Sequence, residues 1–178
     1  MKVTIVRHGK VKHIWKESCN STEFDHECML YDNAPIEDVE CSIDHTADKV
    51  YISTLDRTLQ TGKKMFGERE FIASKHINEV PLRSSFDTRM RLPLWFWNMS
   101  GRLQWLVNSK RQVESRKQTI KRAESFVQDI IDKNEDCVLI THGFFMHTLI
   151  SEMKRKGFKS GKTGMHYKNC EAITMRLG

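Results

Sequence analysis

The run Val3, Thr4, Ile5, Val6 is apolar and β-branched and stops at Arg7, His8 and Gly9; the run Val138, Leu139, Ile140, Thr141 stops in the same way at His142 and Gly143. Short runs of this kind cut by glycine predict buried strands leading into turns. Two strand ends therefore each present a histidine. The pattern predicts a strand over residues 2–6, then a polar, irregular segment from Gly9 to about Ala34. A helix is predicted over Ile36–Thr46, opened by Pro35 and acidic residues in its first turn. A strand follows over Lys49–Ser53, a helix over Leu55–Phe66 closed by Gly67, and a strand over Phe71–Ile77. Helices over Pro93–Val107 and Ser115–Lys133, a strand over Cys137–Thr141, a helix over Phe144–Lys156 stopped by Gly157, and a strand over Glu171–Leu177 complete the chain. Strands alternating with helices imply a largely parallel sheet with helices on both faces. The carboxyl ends of such strands open onto the crevice where ligands bind.

Length and composition narrow the picture. A chain of 178 residues fits one domain, 1–178, and hides roughly 70% of its unfolded surface. No stretch approaches the roughly 20 apolar residues of a membrane span, so no membrane partner is expected. Met1 leads directly into a strand rather than a leader, which makes the cytoplasm the expected compartment. Cysteines 19, 28, 41, 137 and 170 are widely spaced with no Cys-x-x-Cys pair, so buried thiols rather than a disulfide framework are expected. The net charge of +6 favours anionic ligands. Much of the excess lies between Lys110 and Lys133, where Val113, Ile120, Phe126, Val127, Ile130 and Ile131 recur at mostly helical spacing. This reads as a wet-faced amphipathic helix, not a nucleic-acid site. Asp25, His26, Glu27 and Cys28 are metal-ligand types, but adjacent residues diverge and no second half of a site is evident, so no metal is expected. Trp95, Met99 and Leu103, four residues apart, are the expected core face of their helix, with Trp97 a candidate pocket wall or lid.

Candidate chemistry sharpens at a third strand end. After Tyr51 and Ile52, the run Ser53-Thr54-Leu55-Asp56-Arg57 places an arginine in the first turn of a helix, where a cation opposes the helix dipole. A phosphate partner accounts for it, since guanidinium matches phosphate oxygens bidentately and stays charged. Arg7 with His8, Arg57, and His142 then point to one edge of the sheet.

These pieces, Val6-Arg7-His8-Gly9, Ser53 through Thr61, and Thr141-His142-Gly143, in this order and spacing, resemble the histidine phosphatase superfamily, also called phosphoglycerate mutase-like proteins. The resemblance implies a three-layer α/β/α sandwich with a mostly parallel central sheet. It also implies that His8 is a nucleophile forming a phosphohistidine, while Arg7, Arg57, His142 and Gly143 bind the transferred phosphoryl group, with neither metal nor organic cofactor. A neutral imidazole attacking phosphorus divides one difficult displacement into two, and phosphoryl transfer depends on positioning and charge stabilisation. The leaving alkoxide needs a proton. The resemblance implies a carboxylic acid near Glu79, with Asp25 and Asp87 as alternatives. Pro81, Leu82, Arg83 and Ser84 depart from the common pattern there, as does Lys10 after Gly9. Lys10, Lys12 and His13 are candidates for meeting extra anionic groups, and Gly157–Gly164, with Lys159 and Lys162, for a loop closing over a phosphate ester. The expected activity is a metal-independent phosphomonoesterase acting on a small phosphorylated substrate or a phosphoprotein. The alternatives are a phosphoglycerate mutase-like phosphotransferase and a non-catalytic phospho-ligand binding module.

Overall fold

A computed structural model describes residues 1–38, 41, 43, 47–160 and 167–178. Strand β1 (Lys2–Arg7) lies parallel to β6 (Cys137–Thr141), with Val3 opposite Cys137 and Arg7 opposite Thr141. On the far side of β6, β3 (Lys49–Ile52) pairs in parallel with Ile52 opposite Ile140. The short β4 (Ile72–Ala73) lies outside β3. On the other flank of β1, β8 (Ala172–Arg176) runs antiparallel, followed by β7 (Lys159–Ser160). The sheet order is β4-β3-β6-β1-β8-β7. The register has one decisive effect: β1 and β6 end level and β3 one residue earlier, so His8, His142 and Ser53 leave the sheet within one residue of the same level.

Both faces of the sheet are covered, because alternate side chains of a strand point to opposite sides. Val3, Ile5 and Leu139 pack with α4 (Arg116–Lys133) and α5 (Gly143–Arg155), through Phe126, Ile130, Leu149 and Met153. Val6, Val50, Val138 and Ile140 face the other way, toward Leu59, Met65 and Phe66 of α2 (Asp56–Phe66). The result is a three-layer α/β/α sandwich, and each fully buried aliphatic side chain contributes roughly 1.5–3 kcal/mol. A third cluster, Cys19, Phe24 and Trp97, joins α1 (Ser21–Asn33) to α3 (Leu94–Leu106) beside a two-stranded ribbon of β2 (Ser18–Cys19) and β5 (Leu92–Pro93). Among the described residues no helix is long and apolar enough to cross a membrane.

Several expectations are corrected. The segment predicted as irregular holds β2 and α1. That helix is started by a capping box in which Asn20 and Glu23 satisfy each other's backbone N–H groups. The helix predicted over 36–46 is not observed at its start, where Ile36 forms an isolated antiparallel bridge with Val11; residues 39, 40, 42 and 44–46 lie outside the described residues. The strand predicted over Phe71–Ile77 ends at Ala73 and continues as a 3-10 turn, Lys75–Ile77. Lys159 lies in β7, whereas 161–164 lie outside the described residues.

Helix α3 turns the opposite face inward: Trp97 is fully buried, with its indole N–H donating to the Cys19 carbonyl, while Trp95, Met99 and Leu103 are 61%, 55% and 57% exposed. Its sequence is apolar on every side, so spacing alone does not choose a face. Gly101 decides it, because a Cβ there would lie 2.6 Å from Leu82. Cys41 and Cys170 are joined in a disulfide across 129 residues of sequence, a pairing that the wide cysteine spacing did not point to; Cys19, Cys28 and Cys137 remain free.

Candidate active site

His8 follows the last residue of β1, and its backbone N–H donates to Thr141 O at 2.9 Å, which locks it beside β6. Its ring Nδ1 lies 2.6 Å from Gly9 O. A carbonyl only accepts, so Nδ1 carries the proton and Nε2 carries the lone pair. His8 is 2% exposed. Burial first, then the Arg57 charge, lowers its pKa to about 3, against a weaker upward pull from the Gly9 bond. The imidazole is therefore neutral at physiological pH.

His142 is the N-cap of α5, fully buried, with its ring centroid 5.0 Å from that of His8. Arg57 Nε donates to His142 Nδ1 at 3.2 Å, so the His142 proton sits on Nε2 and donates to Ser53 Oγ at 2.7 Å. Burial, reinforced by His8 and Arg57, holds its pKa well below the usual imidazole value. Ser53 in turn accepts from Leu55 N–H and shares a hydrogen bond with Thr58. The donor role expected of His142 is thus directed at Ser53.

Arg57, 1% exposed, is held on its other side by Asp32, whose Oδ1 lies 2.9 Å from Nη1, with the Tyr31 ring 5.3 Å away. Asp32 and Ser53 are the site residues that sequence reasoning missed. A signal existed for Asp32: a carboxylate in the last turn of a helix opposes the dipole and asks for a cation. Arg7 donates from Nη1 to Tyr167 O, and its buried Nε has no hydrogen-bond partner among the described residues. Gly143 gives it room, since a Cβ there would lie 2.8 Å from Arg7 Nε. The Gly143 N–H makes no hydrogen bond among the described residues, leaving it open at the α5 N-terminus.

Glu79 reaches the same helix end. Its Oε1 accepts from Val80 N–H and Phe145 N–H, both at 2.9 Å, and Oε2 from Phe144 N–H at 3.3 Å. Glu79, Arg57 and Arg102 line one cavity of about 590 Å³ whose walls include Tyr31, Val80 and Leu82. His8 does not line it. The alternative carboxylates lie elsewhere: Asp25 accepts from Ser84, and Asp87 pairs with Arg111. Lys10 pairs with Glu37 and His13 with Glu27, and neither lines the cavity. Asp25 and Glu27 thus face different partners, Cys28 lines the cavity, and no cluster of metal-ligating side chains is found among the described residues.

No match is found among curated proteins. Solved structures share the fold. The α-ribazole phosphatase from Shigella flexneri covers 100% of this chain and 91% of its own, at 14% identity and a TM-score of 0.60. A mutant phosphoserine phosphatase from Entamoeba histolytica, solved with phosphoserine, covers 97% and 89% at 18% identity and 0.56. A mycobacterial glucosyl-3-phosphoglycerate phosphatase covers 99% and 96% at 14% identity and 0.57. The family model for the histidine phosphatase superfamily (branch 1) matches residues 40–177. With that match over most of its length and the same three-layer fold as these phosphatases, the chain belongs to the histidine phosphatase superfamily.

Proposed function

We propose that the chain is a phosphomonoesterase working through a phosphohistidine on His8, with Glu79 as the proton donor and acceptor. The observation that carries this reading is the His8 tautomer: a neutral ring whose proton is tied to Gly9 O leaves Nε2 as the nucleophile. A second support is the buried Arg7 Nε, a donor without a partner among the described residues, beside the Gly143 N–H, which is the setting for a phosphoryl oxygen. In the first step Nε2 bonds to phosphorus, the ester P–O bond breaks, and the leaving oxygen takes a proton from Glu79. In the second, Glu79 removes a proton from water, the water oxygen bonds to phosphorus, and the P–Nε2 bond breaks. Arg7, Arg57 and the Gly143 N–H hold the phosphoryl oxygens in both steps, so this scheme needs no metal. His142 positions Arg57 rather than contacting the phosphoryl group. The cavity, of a size that suits small molecules, favours a small phosphorylated substrate over a folded phosphoprotein.

Rapid quenching of the enzyme with ³²P-labelled 4-nitrophenyl phosphate, in chelator, tests the scheme. The expected result is an acid-labile, alkali-stable phosphoenzyme that forms at the rate of the first turnover. Turnover without labelled protein would overturn it. For Glu79→Gln, hydrolysis of alkyl phosphates is expected to slow by roughly 10²-fold or more, with a far smaller effect on 4-nitrophenyl phosphate, whose leaving group needs no proton. Equal slowing of both would remove Glu79 from the proton-transfer role.

A further inference from the structure

The cavity beside Glu79 carries a half-buried cation, Arg102, that the scheme above does not use. Three buried or half-buried arginines line it. Arg57 is tied to His142 and Asp32, and Arg122 is tied bidentately to Glu114 and to the carbonyls of His76 and Asn78. Arg102, on α3, meets no carboxylate within ion-pairing distance among the described residues. Among the described residues its one hydrogen bond runs from Nη1 to Val80 O at 3.1 Å, and its guanidinium carbon lies over the Phe144 ring, 3.7 Å from the centroid. No hydrogen bond from Nε or Nη2 is found among the described residues, and the side chain lines the cavity. A guanidinium withdrawn from water without an anion is costly. Burial accordingly pulls its pKa below the ordinary arginine value, with Glu79 the main opposing charge.

Arg102 and Glu79 are also fastened to the same two residues: Val80, whose N–H goes to Glu79 and whose carbonyl takes Arg102, and Phe144, whose N–H goes to Glu79 and whose ring carries Arg102. Arg102 is therefore held close to the group assigned to the leaving oxygen, in the same cavity. Val80, Pro81 and Leu82 line the same space with apolar surface.

We propose that Arg102 anchors a second anionic group on the alcohol part of the substrate, so that the enzyme selects phosphomonoesters that also carry a carboxylate or another phosphate. The inference rests on the phosphatase reading for the place of the first phosphate. It adds a specificity residue, with Arg102 binding through a bidentate fork that a lysine does not reproduce.

Calorimetric titration with benzylphosphonate, 3- and 4-carboxybenzylphosphonate and 1,4-xylylenebisphosphonate tests it, because phosphonates bind without being hydrolysed. The wild-type chain is expected to bind at least one doubly anionic probe about ten-fold or more tighter than benzylphosphonate, and the stronger of the carboxylate and phosphonate arms identifies the group. In Arg102→Gln that ratio is expected to collapse to about two-fold or less, with Arg102→Lys intermediate. No preference in the wild-type chain would overturn the proposal. So would equal weakening of all probes by Arg102→Gln, which would make Arg102 a support for the floor of the site. Hydrolysis of phenyl phosphate is measured alongside: its absence with the binding preference intact would fail the phosphatase reading alone, and its presence without the preference would fail this inference alone.

Discussion

His8→Ala is expected to lower kcat for 4-nitrophenyl phosphate by on the order of 10³-fold or more while the fold persists. The size follows from covalent catalysis: without Nε2 no phosphoenzyme forms, and the remaining cations can only hold the ester while water attacks unaided. A loss of that order corresponds to about 4 kcal/mol of transition-state stabilisation. The fold is expected to survive because His8 lies at the exit of β1, where its structural bond is made by the backbone N–H to Thr141 O and is retained in alanine. The measurement is turnover together with a circular dichroism melt. A folded variant keeping more than about a tenth of the rate would remove His8 from the nucleophile's role.

Acid is expected to destabilise the protein strongly, beginning near pH 6.5. The sign follows from linkage: His8 has its pKa lowered from 6.5 to about 3 in the folded state, by burial first and then by Arg57. Between those values the unfolded chain binds a proton that the folded chain refuses, so stability is complete above pH 6.5 and is lost as pH falls toward 3. The loss is about 1.4 kcal/mol per pH unit for one histidine, or roughly 3 kcal/mol by pH 4. His142, fully buried and also shifted down, adds to the same window. Against a total stability of roughly 5–15 kcal/mol, this is a large fraction. Urea midpoints at pH 7, 6, 5 and 4 provide the check, and His8→Ala is expected to flatten the slope; a wild-type midpoint constant from pH 7 to 4 would contradict the assignment. The same shift moves the acid limb of activity below the usual imidazole range, because His8 in the folded enzyme stays unprotonated at pH 5.

The parts of this molecule legible in its sequence are those where local pattern and global fold agree. Val3–Val6 and Val138–Thr141 are buried on both faces, so they read as continuous apolar runs, and the polar residues at their ends stand out. Helix α1 was not legible by periodicity because its buried residues, Ser21, Phe24 and Glu27, include a single apolar one. The start signal is confined to its first turn, Asn20 with Glu23 three residues on. In α3 the reverse held: so many apolar residues surround the axis that two stripes competed, and the true one was set by a close approach between Gly101 and Leu82 that no local pattern contains. The candidate groups His8 and Arg57 stand out in the sequence by their places after strands, whereas Ser53 and Asp32 touch the candidate site through His142 and Arg57, and such contacts exist only after folding.

Helix α3 also separates two properties that usually travel together. Its inward row, Trp97 and Trp105, is part of the packed interior, while its outward row, Trp95, Met99 and Leu103, is grease on the skin of the protein. Lysine or glutamate on the outer row is therefore expected to shrink the exposed apolar surface and leave the architecture beneath it alone.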